Sequence, residues 1–416
     1  MISKICILGI GYIGLPTAAL FAKSGHEVIG VDIKQEVVDE LNKGNIIIEE
    51  PNLKELIKDM VIKKQLRGSM SPCEADVFIV AVPTPIDKSK KSDLSYVMNA
   101  LHSIIPYLRK GNLLVLESTS PIGTTSEIIK PMLENAGFIV GEDIYLGYCP
   151  ERVIPGDILN ELESNDRLVG GINKISAKKI KDLYSHLVKG NIYITDTKTA
   201  EICKLMENTY RDVNIALANE LAIICNEVGV NVWDVIKFCN KHPRVNIHYP
   251  GPGVGGHCLA VDPWFVVEKV PDKANLIKTS RNINDCMPSY IFKRIEDILK
   301  NKQNNKIVTI LGMTYKANID DIRESPIVKL IDILKCNLYN VRVYDPNVRN
   351  CEYLYKELVN ACENSDLIII GVDHDIFKYI NFSILKKVMN NNAILDTRNF
   401  INKEDIKRYG FEYYSI

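Results

Sequence analysis

The sequence predicts an α/β protein made of two doubly wound Rossmann-like domains joined by a central helical segment. Three observations carry that expectation. A strand, glycine turn, helix and strand open the chain over Lys4–Asp32, and an uninterrupted helical pattern starts at about Thr197. Beyond residue 300, four strand-end patterns of the first part return in the same order. With 416 residues the chain can hold two or three domains and a sizeable core. The expected division is an N-terminal α/β domain over 1–196, a helical segment over 197–300 and a C-terminal α/β domain over 301–416, with the Asn-rich Asn301–Lys306 as a linker.

Composition excludes several classes. The 51 basic and 52 acidic residues nearly cancel, so neither a nucleic-acid footprint nor an acidic tail is present. The longest apolar runs, such as Leu113–Leu116 and Leu367–Gly371, have the length of strands and are far too short to span a bilayer. The first strand is expected from Lys4, and no signal peptide is expected before it. Eleven cysteines lie scattered, without CxxC pairs or a His-rich companion motif. A disulfide framework and a metal site are therefore not expected, and a reducing cytoplasm is.

Taken in order, the strand KICIL runs into Gly9, Gly11 and Gly14, then a helix to about Lys23 and a second strand ending on Asp32. The glycines allow a tight turn and a close approach of a pyrophosphate to the helix N-terminus, where free amides favour anions. Asp32 would accept hydrogen bonds from ribose hydroxyls and repel a 2′-phosphate, so the cofactor expected is NAD rather than NADP. Strands over Asp76–Val82 and Leu113–Glu117 end in turns carrying Thr84 and Thr119, which either face a ligand or merely cap turns. A short strand before Tyr148 delivers Glu151 and Arg152, either an ordinary surface pair or site residues.

The helical pattern from Thr197 to Val228 sets Lys204, Asn208, Arg211 and Ile215 at i, i+4, i+7 and i+11, on one face. A solvated stripe is the usual reason for such charges. Lys, Asn and Arg without matched carboxylates suggest instead an anionic or hydroxyl-rich ligand. His242-Pro243-Arg244 then leads into Pro250–Pro263, PGPGVGGHCLAVDP, in which Cys258 sits among four glycines with Asp262 four residues later. A thiol in such a loop is reachable by substrate, unlike a cysteine inside an apolar run. A further helix is expected from about Ala274 to Asn301.

The repeat follows. KICILGIGY matches KIVTILGMTY from Lys306, and VIGVD matches VRVYD ending at Asp345. ADVFIVAVPT matches SDLIIIGVDH from Ser365, and NLLVLESTS matches NAILDTRNF from Asn392. The second unit lacks GxGxxG, so a second NAD is not expected there. Its strand ends carry Tyr315, Lys316, Arg323 and Arg398, groups suited to phosphate.

GIGYIG, VPTP, STSPIGTT, PERVIPG, the Lys204/Asn208 helix, GGHC with Asp262, and Lys316 with DDIRESP occur in one order along nearly the whole chain. Together they resemble the UDP-glucose/GDP-mannose dehydrogenase family, and HPRVNIHYPGPGVGGHCLAVDPWF is most like its branch acting on UDP-N-acetylhexosamines. The resemblance implies an enzyme that oxidises carbon six of a UDP-sugar to the acid, forming two NADH through a cysteine thiohemiacetal and thioester. It makes Cys258 the nucleophile and places Tyr12, Ile13, Asp32, Thr84, Thr119 and Arg323 at NAD. It places Arg152, Val153, Lys204, Asn208, Arg211, Gly255, Tyr315, Lys316 and Arg398 at the UDP-sugar. Lys204 would be base or oxyanion stabiliser with Asn208, and Glu151 or Asp262 would position the hydrolytic water. His242 and Arg244 would reach substrate from a neighbouring subunit of a homo-oligomer, with the helix around Asn208–Val228 as the seam. UDP-N-acetylglucosamine or UDP-glucose as substrate, a single-step β-hydroxyacid dehydrogenase, and a non-enzymatic NAD-sensing protein stay open as alternatives.

Overall fold

The computed structural model describes residues 2–48, 50–154, 156–300, 306–349 and 351–416. Of the expected linker only Lys306 is among them, and Pro155 of PERVIPG also lies outside the described residues. The chain forms two compact units, Met1–Glu207 with Trp264–Val270, and Asn208–Pro263 with Pro271–Ile416. The division falls inside the helix Thr197–Glu227.

The first unit is built on eight strands: β1 Lys4–Leu8, β2 Glu27–Val31, β3 Leu66–Ser69, β4 Val77–Val80, β5 Leu113–Leu116, β6 Tyr145–Tyr148, β7 Arg167–Gly171 and β8 Ile192–Asp196. Their order is β3-β2-β1-β4-β5-β6-β7-β8. Side chains alternate across a strand, so β1 feeds two cores: Ile5 and Ile7 on one face, Cys6 and Leu8 on the other. Each large apolar side chain so buried contributes about 1.5–3 kcal/mol. One pairing departs from the parallel pattern. β7 runs antiparallel to β6, with Gly147 opposite Gly171 and Tyr148 opposite Gly170. That reversal brings Arg167, the first residue of β7, to the edge where β5 and β6 end.

The second unit has five strands: β9 Ile307–Leu311, β10 Asn340–Tyr344, β11 Leu367–Ile370, β12 Ala393–Asp396 and β13 Glu412–Ser415. All are parallel, in the order β10-β9-β11-β12-β13. The four repeated patterns are β1, β2, β4, β5 and β9, β10, β11, β12. Both sets have the same spatial order, β2-β1-β4-β5 and β10-β9-β11-β12. The likeness extends to single hydrogen bonds. Gly9 N donates to Val31 O (2.8 Å) and Gly312 N to Tyr344 O (2.9 Å). Lys4 N donates to Asp76 Oδ2 (2.8 Å) and Ile307 N to Asp366 Oδ2 (3.0 Å). The strands and the helix Asn275–Ile298 are a few residues shorter than the sequence suggests, because the flanking residues belong to turns.

Candidate active site

In the first unit the glycine turn is formed by close packing. A Cβ on Gly14 would lie 1.9 Å from Gly9 O, so only glycine lets the helix Gly14–Lys23 start against the β1 turn. At Gly11 nothing stands within 4 Å of such a Cβ, which leaves the backbone open on that side. Tyr12 and Ile13 follow at the helix entrance, half-buried. Asp32 takes Ile10 N (3.3 Å) on one carboxylate oxygen and Lys34 N (3.0 Å) on the other, at the end of β2. A glycine cradle with free space, a helix start and an acid one strand over fit a dinucleotide. Thr84 Oγ1 donates to Thr119 O (2.5 Å), tying the ends of β4 and β5. The structure thus brings these two threonines together.

The loop after β6 is held at several points. Glu151 Oε1 accepts from Arg152 N (2.6 Å) and Oε2 from Arg167 NH2 (2.5 Å). Arg152 pairs with Glu207 and donates to Asp166 O (3.3 Å), and Val153 packs against the core. Glu50 receives Gly156 N (2.9 Å) and Ile158 N (2.7 Å) farther along.

On the long helix Lys204 and Asn208 are buried, whereas Arg211 is exposed. The expectation of a polar stripe without matched carboxylates is corrected here. The buried line runs Glu201, Lys204, Asn208 and Asp212, and its acids have partners. Glu201 accepts from Gly123 N (2.6 Å), Thr125 N (2.9 Å) and Thr125 Oγ1 (2.7 Å), fixing the STSPIGTT turn. Burial pushes the Glu201 carboxyl above its ordinary pKa, against the pull of those donors. Asp212 takes Arg281 NH1 (2.5 Å) and Asn284 Nδ2 (2.8 Å).

In the second unit the cysteine loop crosses the carboxyl ends of β9 and β12. Gly251 N donates to Asn219 Oδ1 (2.9 Å), and a Cβ on Gly251 would sit 2.5 Å from Arg398 NH1. Gly255 and Gly256 lie against Tyr315. Gly256 has φ +84° and leaves 2.9 Å between its absent Cβ and the tyrosine ring. Gly256 N donates to Arg323 O (3.1 Å). Arg323 grips Asp321 through Nε (3.0 Å) and NH2 (2.7 Å). Burial pushes the Asp321 carboxyl up, but Arg323's side-chain and backbone donors outweigh it and hold it below its ordinary value. Cys258 is half-buried, and its carbonyl accepts Asp262 N (2.8 Å) at the start of the helix Asp262–Lys269. Asp262 is buried and accepts Asn208 Nδ2 at 2.6 Å. Arg398 pairs with Asp373 (3.2 Å), while Lys316, His242 and Arg244 are exposed.

Sequence reasoning missed Glu117, Arg167 and Glu201. Glu201 had a legible signal, one turn before Lys204 on the same face. Arg167 had none, since its position depends on the reversed strand.

Residues 3–188 match the NAD binding domain of the UDP-glucose/GDP-mannose dehydrogenase family, 198–286 its central domain and 309–403 its UDP binding domain. The chain is 50% identical over 419 residues to a UDP-N-acetyl-D-mannosamine dehydrogenase of Methanococcus vannielii, covering 99% of this chain and 96% of that one. Among solved structures, a UDP-N-acetyl-mannosamine dehydrogenase from S. aureus is 47% identical with a TM-score of 0.91, covering 99% of this chain and 98% of that one. A UDP-D-ManNAc dehydrogenase from Pyrococcus horikoshii is 40% identical with a TM-score of 0.94, covering 99% of each chain.

Proposed function

The chain belongs to the UDP-glucose/GDP-mannose dehydrogenase family, and we propose that it oxidises carbon six of UDP-N-acetyl-D-mannosamine to the uronic acid. The carrying observation is half-identity along almost the full chain to a dehydrogenase of that nucleotide sugar, with a reachable thiol in its glycine loop. When bound, NAD would supply the hydride acceptor, one molecule for each of the two oxidations. The Gly9–Gly14 turn holds its pyrophosphate and Asp32 its ribose. Thr84 and Thr119 border it, and Arg323 completes the NAD contacts.

The chain's own residues then do the following. Lys204 takes the proton of the carbon-six hydroxyl, and Asn208 donates to the oxygen as charge develops on it. Cys258 Sγ adds to the aldehyde carbonyl, and loss of a second hydride leaves a thioester. Glu151 takes a proton from the water that attacks the thioester carbonyl, the C–S bond breaks, and Cys258 leaves as thiolate. One observation favours Glu151 for the water. Both acids are buried, but Asp262 carries Asn208 Nδ2 on its carboxylate, an arrangement suited to aiming that amide, and this leaves the water to Glu151 on the strand-end loop. Tyr315, Lys316, Arg398 and Gly255 hold the uridine diphosphate side, and Arg152, Val153 and Arg211 the sugar side.

The working form is a homo-oligomer. Tyr210, Leu217, Ile224 and Val228 are all more than half exposed and recur at helical spacing, an apolar face that a second copy would cover. Lys241–Asn246 stand out in solvent, supporting His242 and Arg244 acting in a neighbour's site. Mixing Arg244→Ala with Cys258→Ala chains tests this: hybrids that regain activity support shared sites, and additive inactivity rejects them.

The assignment is tested with a panel of UDP-sugars, reading NADH formed per sugar consumed. The expected result is highest kcat/KM on UDP-N-acetyl-D-mannosamine, with two NADH each. Preference for UDP-N-acetylglucosamine or UDP-glucose overturns the sugar but not the chemistry. One NADH per sugar overturns the thioester scheme.

A further inference from the structure

Behind Glu151 lies a buried cluster that the proposed chemistry does not use. Arg167 is fully enclosed, and one nitrogen of its guanidinium serves two carboxylates, Glu151 Oε2 at 2.5 Å and Glu117 Oε1 at 3.0 Å. Its Nε donates to Cys149 Sγ (3.3 Å), and its plane stacks 4.6 Å from the Tyr184 ring centre. Tyr184 OH donates to the same Glu117 oxygen (2.7 Å). The other, Glu117 Oε2, is buried with no hydrogen-bond partner among the described residues. A fully charged carboxylate does not keep an oxygen in that state cheaply, whereas a protonated one does. Two carboxylates and a single cation, all inside the protein, are most stable with one proton on the pair.

We propose that Glu117, acting through the guanidinium it shares with Glu151, sets how firmly Arg167 holds the Glu151 carboxylate and so controls the hydrolysis of the acyl-enzyme. Glu117 and Arg167 are positioning residues, and the inference rests on the reading of Glu151 as the group that takes the water's proton. Four groups face Glu117: Arg167 from β7, Glu151 and Cys149 from the loop after β6, and Tyr184 from the helix Lys174–Tyr184. Burial pushes the Glu117 carboxyl up to about 7, Arg167 draws it back, and Glu151 adds to the rise. Burial likewise pushes the Cys149 thiol up to about 12, so the cysteine stays neutral while Glu117 titrates.

When Glu117 is protonated, the guanidinium is left to Glu151 alone and ties up its Oε2. When Glu117 loses its proton, two anions divide one cation, and Glu151 Oε2 is freer to meet the water. The water step gains rate accordingly. Its balance is unchanged: water oxygen bonds to the thioester carbon, its proton goes to Glu151, and the C–S electrons return to Cys258.

The test follows the acyl-enzyme by intact-protein mass after mixing with UDP-N-acetyl-D-mannosamine and NAD, from about pH 6 to about pH 8. The first NADH burst needs no Glu151, so it checks that each variant is folded and binds both partners. In the wild type the acylated fraction should fall as pH rises. Glu117→Gln, which imitates the protonated side chain, should keep the low-pH fraction throughout. Arg167→Lys, which keeps the charge but loses the planar guanidinium that links the two carboxylates, should flatten the pH dependence of decay. Glu151→Gln should stall as acyl-enzyme. Normal thioester decay in Glu151→Gln would remove the premise. A stalled Glu151→Gln beside a Glu117→Gln that follows the wild-type pH curve would overturn the inference alone. Should Arg167→Lys fail to give a burst, the Glu117→Gln comparison still decides.

Discussion

The pair Asn208–Asp262 lets positioning and catalysis be separated by two substitutions. Asn208 is buried and donates to an Asp262 carboxylate that is 1% exposed. Under the proposed mechanism Asn208→Ala removes a donor from the carbon-six oxygen, a loss of about 3–4 kcal/mol in a preorganised site, or about a hundredfold or more in kcat. The same change takes one hydrogen bond from a buried carboxylate, about 1.5–3 kcal/mol of folding stability. The two effects appear in different measurements: the rate of the first NADH burst, and the denaturant midpoint. Asp262→Asn keeps an oxygen that can accept from Asn208, so it should leave stability closer to wild type. Because the amide is still aimed, the burst should slow only about tenfold or less. The acyl-enzyme should not accumulate under the proposed mechanism, in which Glu151 serves the water. Accumulated thioester in Asp262→Asn would refute the division of roles. A burst within about threefold of wild type in Asn208→Ala, alongside a lowered midpoint, would show a purely structural pair.

Four further outcomes are expected. Cys258→Ala should form no uronate while retaining part of the first hydride transfer, and Cys258→Ser should stall as a slowly hydrolysed ester visible by mass; near-normal uronate from Cys258→Ala would remove the nucleophile from the scheme. Gly14→Ala, whose Cβ would meet Gly9 O at 1.9 Å, should abolish NAD binding measured by fluorescence titration, and unchanged affinity would contradict the cradle. His374→Ala should raise KM for the UDP-sugar several-fold and leave that for NAD unchanged, because His374 Nδ1 accepts Asn318 N (2.9 Å) and so anchors the turn carrying Tyr315 and Lys316. Finally, the raised Glu117 pKa gives a stability term with a definite sign: it is fully present below about 4.5, where both states hold the proton, and lost as pH rises to about 7, where only the folded state still does. At most about 3 kcal/mol is involved, and it should appear as wild-type stability falling relative to Glu117→Gln across that window in urea titrations.

Much of this was legible in the chain because the signals are local. GxGxxG needs its strand before it and its helix after it, and all three lie within Lys4–Asp32. Cys258 stood out because glycines surround it. The long helix was readable from the absence of Pro and Gly, but which side it buries was not. Arg211 shares a face with Lys204 by spacing alone, and the buried position fell to Asp212 because Arg281, sixty-nine residues on, supplies its countercharge. Nor could periodicity reveal that β7 runs backwards. A reversed strand has the same apolar pattern as a forward one, and only the reversal brings Arg167 to Glu117 and Glu151.

The internal repeat explains why one architecture carries two kinds of strand-end chemistry. Asp32 and Asp345 stand at matching positions, and each accepts the backbone N–H after its glycine, from Ile10 at 3.3 Å and from Met313 at 2.7 Å. In the first unit the turn leaves open space at Gly11. At the matching glycines the crowding is alike, Val82 standing against Gly9 and Val372 with His374 against Gly312, but His374 Nε2 also reaches Asp345 Oδ2 at 3.2 Å. Since His374 Nδ1 accepts from Asn318 N, Nε2 carries the proton and donates to the aspartate. The acid that would face a ribose is thereby satisfied inside the protein. Thr84 and His374 occupy corresponding places in the repeat, so one residue marks the divergence. The threonine bonds to Thr119 O and leaves Asp32 without a side-chain donor from that position, while the histidine bonds Asp345 and fixes the turn that presents Tyr315 and Lys316. The acids one strand farther along were kept in both units, and each accepts a tyrosine hydroxyl: Glu117 from Tyr184, Asp396 from Tyr413 (3.0 Å). In the second unit Asp396 also takes Arg398 N (2.9 Å), Phe400 N (2.8 Å) and Ile401 N (2.9 Å). Its charge is spent on shaping the Arg398 turn. Among the described residues Glu117 has no such backbone donors, and its remaining oxygen lies unpartnered beside Arg167; burial raises both carboxyls, but only in Asp396 do backbone donors pull against it.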